Sequence, residues 1–211
     1  MTGVAFFLLT LALVVAAADW LAVHRGNRSL EYACKPLTMV LLIVTALTLD
    51  AADDAVRAWF VAALVLCLIG DVFLMLPRDL FVPGLGAFLL GHLAYIVGMH
   101  VEGVHDVRFL LGVALVAVAL AVIGTPILRA IRSGPERALA GPVVAYMVVI
   151  SAMVASAIGV GGPALVAGAV LFYVSDALIA WNRFLRETPN AGVSIMVTYH
   201  LAQVLLVVSL V

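Results

Sequence analysis

Long apolar runs separated by short polar punctuation fill this chain from end to end. A hydrocarbon core roughly 30 Å thick demands about 20 mostly apolar residues of a spanning helix. Eight segments meet or approach that length, at residues 4–23, 36–49, 58–76, 84–101, 109–128, 138–158, 163–182 and 193–211, the second being short. The stretches between them read HRGNRS, LPRDLFVPG, RSGPER, GVGGP and RETPNAG, rich in the Gly, Pro and Asn that mark turns. The pattern predicts an all-α polytopic membrane protein, a single eight-helix domain over residues 1–211 with no stretch long enough to form a second one.

Against that background the polar interruptions stand out. Asp71 and His92 lie inside spans three and four, and Ser175-Asp176 and His200 lie inside spans seven and eight. A charged Asp at a helix centre costs about 3 kcal/mol on insertion scales, so such groups face a bundle interior or a wet cavity and mark working sites. The second set also repeats the first. Pro36 matches Pro142, Gly70-Asp71 matches Ser175-Asp176, and His92-Leu93-Ala94 matches His200-Leu201-Ala202, at offsets of 105 to 108 residues. Such a shift carries four spans onto four, predicting parallel half-repeats at 1–105 and 106–211.

Composition agrees and adds orientation. Of 211 residues, 66% are hydrophobic and 11% charged, with mean hydropathy +1.25, which no soluble domain tolerates. The net charge of −1 argues against nucleic acid as a partner, since that requires a basic face. Lys and Arg are unevenly spread. Arg25, Arg28, Lys35, Arg78, Arg129, Arg132, Arg137, Arg183 and Arg186 fall in the odd-numbered connections, against Arg57 and Arg108 in the even ones. The positive-inside rule then puts the odd connections in the cytoplasm, and both termini and the acidic Asp50, Asp53 and Asp54 outside. The opening segment lacks a basic n-region and reads as span one rather than a leader. Cys34 and Cys67 form no framework or metal motif.

With that topology, Asp71, His92, Asp176 and His200 each lie roughly 7 to 12 Å from the cytoplasmic end of their span. Tyr146 and Tyr199 share the layer, Lys35 stands at the mouth of span two, and Asp19 lies near the inner end of span one, as a snorkelling group or a partner for Lys35. If Asp71 and Asp176 face one another, repulsion and desolvation leave one protonated and one ionised, a donor beside a base. The plainer alternative makes each a helix-packing group bonded to a nearby Tyr or Ser.

His92 shares a helix face with Tyr95, and His200 with Gln203, both at i+3. Each His serves as a proton shuttle or head-group ligand, or equally as a satisfied core residue. Two Asp and two His also make a zinc set, though without HxxxH or HExxH spacing. Ala87, Gly91 and Gly98 form a small-residue stripe expected to pack helices closely. Serine-hydrolase elbows, P-loops and dinucleotide fingerprints are missing.

At these residues the sequence resembles the YhhN family of bacterial membrane proteins, whose animal relatives are lysoplasmalogenases. The likeness rests on Lys35-Pro36, Gly70-Asp71, the spaced Phe81, Gly84, Phe88, His92 and Tyr95, the Tyr146 and Met153 helix, Ser175-Asp176, and Tyr199 with Ala202-Gln203. His200 departs from the family pattern, which has a second aromatic there. The resemblance implies a bacterial inner-membrane enzyme that hydrolyses the vinyl-ether bond of a lysoplasmalogen, giving a fatty aldehyde and glycerophospho-ethanolamine or -choline, with no cofactor. Asp71 and Asp176 are then the acid and base, and Lys35, His92, Tyr95, Tyr146, Ser175, Tyr199, His200 and Gln203 hold an ether-lipid or lysophospholipid substrate. Two alternatives stand beside it: a small-molecule or lipid transporter built from parallel repeats, and a metal-dependent intramembrane lipid hydrolase using the same four ionisable residues as ligands.

Overall fold

The computed structural model describes residues 2–211 and is helical throughout, with no strand among the described residues. The helices are α1 (Gly3–His24), α2 (Arg28–Thr48), α3 (Asp54–Met75), α4 (Phe81–Glu102), α5 (Asp106–Ala119), α6 (Thr125–Ser133), α7 (Ala140–Val160), α8 (Pro163–Phe184) and α9 (Ala191–Val208). A π-helical turn, Leu120–Gly124, joins α5 to α6 into one span, so eight segments are long and apolar enough to cross a membrane. The protein is an integral membrane protein, as its periodicity predicts.

Local chemistry explains the ends. Thr2 caps α1 by accepting from the Ala5 amide at 3.0 Å, and Asp53 caps α3 by accepting from Ala55 and Val56. Asp54 pairs with Arg57 at 2.6 Å, so two members of the acidic patch are spent on the start of α3. The break in span five has a cause too. Pro126 has no N–H to donate, and its ring crowds the carbonyl one turn earlier, a conflict the wider π turn absorbs.

One boundary differs from expectation by two turns. Asn27 caps a helix that already runs from Arg28, accepting from Leu30 at 3.2 Å, so Lys35-Pro36 lies inside α2 rather than opening it. Lys35 is therefore buried and not at a mouth. A charge this deep is tolerated because Asp71 of α3 meets it, a partner that hydropathy along one strand of sequence does not reveal.

The α3–α4 hairpin is the tightest pairing, with α8–α9 and α1–α2 next. In a bilayer the solvent is itself apolar, so helix association rests on close packing and buried polar ties. The distribution of residues shows it: large side chains such as Phe6, Phe7, Leu110 and Val118 are exposed, while Ala5, Ala12, Ala16, Gly91 and Gly98 are inside. The expected small-residue stripe works this way. A Cβ on Gly91 would stand 2.9 Å from the Cys67 sulfur, and one on Gly98 would stand 2.9 Å from the Phe60 ring.

Helices α1, α2, α3, α4, α7, α8 and α9 follow one another around the bundle, α9 touching α1, α2, α3 and α8. Span five packs mainly on α7 and is the outermost. The four-plus-four duplication is not confirmed: span five is broken and span one, its expected counterpart, is continuous.

Candidate active site

Two clusters of buried polar groups sit where α2, α3, α4, α7, α8 and α9 converge. In the first, the Lys35 ammonium lies 3.0 Å from Asp71 Oδ1, and the Tyr199 hydroxyl donates to Asp71 Oδ2 at 2.6 Å. Both carboxylate oxygens are thus engaged, the side chain is 1% exposed, and Asp71 lines neither cavity described below. In the second, the Tyr146 hydroxyl donates to Asp176 Oδ2 at 2.5 Å, and His92 Nε2 lies 3.2 Å from the same oxygen and 2.9 Å from the Tyr146 oxygen. Asp176 keeps 12% of its side chain exposed.

An aromatic wall separates the clusters. The Phe172 ring is 4.6 Å from His92 and 5.4 Å from Tyr199, centroid to centroid, both edge-on, and Phe88 is 5.9 Å from Tyr199. Gly70, beside Asp71, makes room for this wall: a Cβ there would come within 2.6 Å of the Phe88 ring. The glycine of the Gly70-Asp71 pair is a packing requirement and the aspartate an electrostatic one.

The two expected catalytic carboxylates stand in different hydrogen-bonded clusters. No hydrogen bond joins Asp71 to Asp176 among the described residues; each has its own lysine, histidine or tyrosine partners. The four-residue metal set is likewise dispersed, because His200 accepts from the Trp20 indole at Nδ1, 3.0 Å away, and sits with neither aspartate.

The remaining predicted residues hold helices together. Tyr95 donates to Gln203 Oε1 at 2.6 Å across α4 and α9, with Phe60 edge-on at 5.0 Å. Ser175 donates to the Ile195 carbonyl at 3.1 Å, tying α8 to α9. Tyr95, Gln203, Ser175 and His200 line neither cavity. Asp19 is not partnered with Lys35: it is fully buried, and neither oxygen has a hydrogen-bond partner among the described residues.

Two adjoining cavities share Leu74, Phe81 and Ile179 as walls. One is apolar, walled by residues that include Leu85 and Phe88 of α4, Ile123 and Ile127 of span five, and Met147 and Ile150 of α7, with Asp176, Tyr146 and Tyr173 bringing polar groups to its lining. The other is an open vestibule with Lys35, Asn182 and Arg183 alongside Glu31 and Glu187, charges of both signs.

Arg183, which in sequence counts only toward the charge bias of the connections, lines the vestibule. It reaches Glu136 at 2.6 Å and Asp79 at 3.2 Å, and its guanidinium lies 4.0 Å over the Phe81 ring. The hydrogen bond from Arg183 holds the Asp79 carboxyl below the usual carboxylate range. Trp20 and Phe172 also escaped sequence reading, because a lone aromatic in an apolar span carries no signal of its own. Phe88 belonged to a recognisable spacing, but nothing in that spacing announced a wall.

A bundle of eight spans with an acidic group exposed to an apolar cavity beside a charged vestibule defines the class: an integral membrane protein with a polar cluster buried among its helices. The chain belongs to the YhhN family, whose model matches residues 30–210. It is 33% identical to lysoplasmalogenase TMEM86B of Homo sapiens over 147 residues, covering 70% of this chain and 61% of that protein. It is 34% identical to a lysoplasmalogenase of Mycobacterium bovis over 187 residues, 86% of this chain and 70% of that one. The Escherichia coli membrane protein YhhN is 34% identical over 88 residues, 40% of this chain and 42% of its own length. The matched region thus spans less than two thirds of the human relative. No solved structure matches the chain.

Proposed function

We propose that this chain is a lysoplasmalogenase-like ether hydrolase that cleaves the vinyl-ether bond of a 1-alkenyl lysophospholipid. One observation carries the reading: Asp176, bonded to Tyr146 and His92, is presented to an apolar cavity that adjoins a vestibule of mixed charge. That is the shape of a lysolipid, with a hydrocarbon chain, a reactive bond at its root and a zwitterionic head. The relatives named as lysoplasmalogenases support the same substrate class.

The chemistry follows from the enol ether. Protonation of its β-carbon by the Asp176 carboxylic acid breaks the double bond and leaves an oxocarbenium ion. The new carboxylate, held by the Tyr146 hydroxyl and the His92 ring, lies beside the cation and stabilises it. The same carboxylate takes a proton from the water that attacks the cationic carbon, restoring the acid. The hemiacetal so formed collapses to a fatty aldehyde and the free glycerol hydroxyl, so one water is consumed and no electrons are gained or lost.

Asp71 acts as a positioning residue in this scheme. Its ion pair holds Lys35 at the edge of the vestibule, where the ammonium and Arg183 attract the phosphate while Glu31 and Glu187 suit the choline or ethanolamine nitrogen. The excess of Lys and Arg in the odd connections supports a vestibule at the cytoplasmic leaflet of the inner membrane, with both termini outside.

The test is aldehyde release from a 1-alkenyl lysophospholipid by the protein purified in detergent. Turnover by the wild type is expected, with loss of at least about a hundredfold in Asp176→Asn. Undiminished turnover in a folded Asp176→Asn would overturn the mechanism, and no turnover by the wild type would overturn the substrate.

A further inference from the structure

The outermost span carries a feature that lipid exposure alone does not require. Val118 and Val122 are 64% and 66% exposed, as befits a helix facing the bilayer, yet the regular helix opens into a π turn at Leu120–Gly124. Wide turns of this kind inside helices are frequent at functional sites. Ile123 and Gly124 of this turn, and Ile127 just beyond it, face the cavity that exposes Asp176 and Tyr146.

Gly124 is covered by one side chain. A Cβ at this position would overlap the terminal methyl of Met147, while the next neighbour, Leu120 Cδ2, stands at 3.4 Å. Met147 lines the same cavity from α7. Methionine is flexible and adapts to irregular gaps, so its end moves at little cost where backbone would not. The absence of a side chain at residue 124 therefore decides where the Met147 methyl rests, and the methyl decides how much of the cavity is open.

We propose that Gly124 on the π turn and Met147 on α7 together form the selectivity wall of the aliphatic-chain site, setting which hydrocarbon chain fits beside Asp176. The inference rests on the hydrolase reading for its substrate class but not for its geometry. Filling residue 124 displaces Met147 into the cavity and favours shorter chains. Trimming Met147 opens the cavity and favours longer or bulkier ones.

The experiment measures displacement of a fluorescent lysophospholipid from the purified protein by non-cleavable 1-alkyl lysophospholipids of increasing chain length. Gly124→Ala is expected to weaken binding of the longer chains by about fourfold for each methylene displaced, the equivalent of ~0.8 kcal/mol per buried methylene. Met147→Ala shifts the preference the opposite way. Because Met147 is the one side chain the added methyl would overlap, Gly124→Ala combined with Met147→Ala loses the Gly124→Ala effect. Thermal midpoints confirm that each variant is folded, and Met147→Val, which trims the side chain less, substitutes if Met147→Ala is not. An unaltered chain-length profile in the folded single variants, or a Gly124→Ala shift that persists without Met147, overturns the proposal. Binding needs no turnover. A wild type that binds with the expected shifts but releases no aldehyde defeats the hydrolase reading and leaves the wall standing.

Discussion

The two aspartates occupy matching places in the sequence and opposite places in the chemistry. Asp71 has one oxygen on the Lys35 ammonium and the other on the Tyr199 hydroxyl, and is shut off from both cavities. Asp176 gathers the Tyr146 hydroxyl and His92 Nε2 on a single oxygen and faces the apolar cavity. A carboxylate with a buried cation and two satisfied oxygens is a structural charge, stable because it is paired. A carboxylate with neutral or ambivalent partners and access to a cavity is open to a ligand that enters it. Two motifs that look alike in sequence therefore separate into a sealed ion pair and a cavity-facing carboxylate.

Removing one member of the Lys35–Asp71 pair gives the largest expected effect. Lys35→Ala or Asp71→Ala leaves an uncompensated buried charge and should lower stability by about 3 to 5 kcal/mol. Lys35→Met with Asp71→Leu should recover most of that loss while activity stays low. Thermal unfolding in detergent reads both outcomes, and single variants as stable as the wild type would erase the distinction between the sites.

Asp176→Asn comes next, with turnover down at least about a hundredfold and a thermal midpoint close to the wild type. A midpoint that fell as far as that of Asp71→Ala would mean both carboxylates are structural.

The tyrosines sharpen the same contrast at smaller scale. Tyr199→Phe removes a bond to an ionised, sealed carboxylate and should cost about 1.5 to 3 kcal/mol of stability. Tyr146→Phe should cost less stability and act on rate instead, raising the barrier to proton transfer. Stability measured beside aldehyde release separates the two, and equal stability losses would contradict the assignment.

The smallest effect concerns the vestibule rim. Because the Arg183 hydrogen bond lowers the folded-state affinity of Asp79 for a proton, the pair contributes stability above the usual carboxylate range and loses it as pH falls through the lowered value. The acid limb of the stability profile should flatten in Asp79→Asn and keep its slope near neutrality.

Much of this was legible in the chain. Span number and the helix positions of Asp71, His92, Tyr146, Asp176 and Tyr199 followed from hydropathy and from the rarity of polar groups in apolar runs. Three things were not. The start of α2 lay two turns earlier because Lys35 is neutralised by a residue on another helix. Tyr95, Ser175 and Gln203 make hydrogen bonds between helices, partners set by which face each presents and not readable from spacing alone. Asp19 looked interfacial and is buried.

The sequence by itself determined that the chain crosses a membrane eight times and that its few buried charges had to be brought together, because hydrocarbon leaves an isolated charge no cheap place to go. Only the tertiary structure decided the partners. Side-chain pairing depends on helix rotation and on which helices are neighbours, and the α2, α3 and α9 contacts sent Asp71 to Lys35 and Tyr199 while α4, α7 and α8 sent Asp176 to His92 and Tyr146.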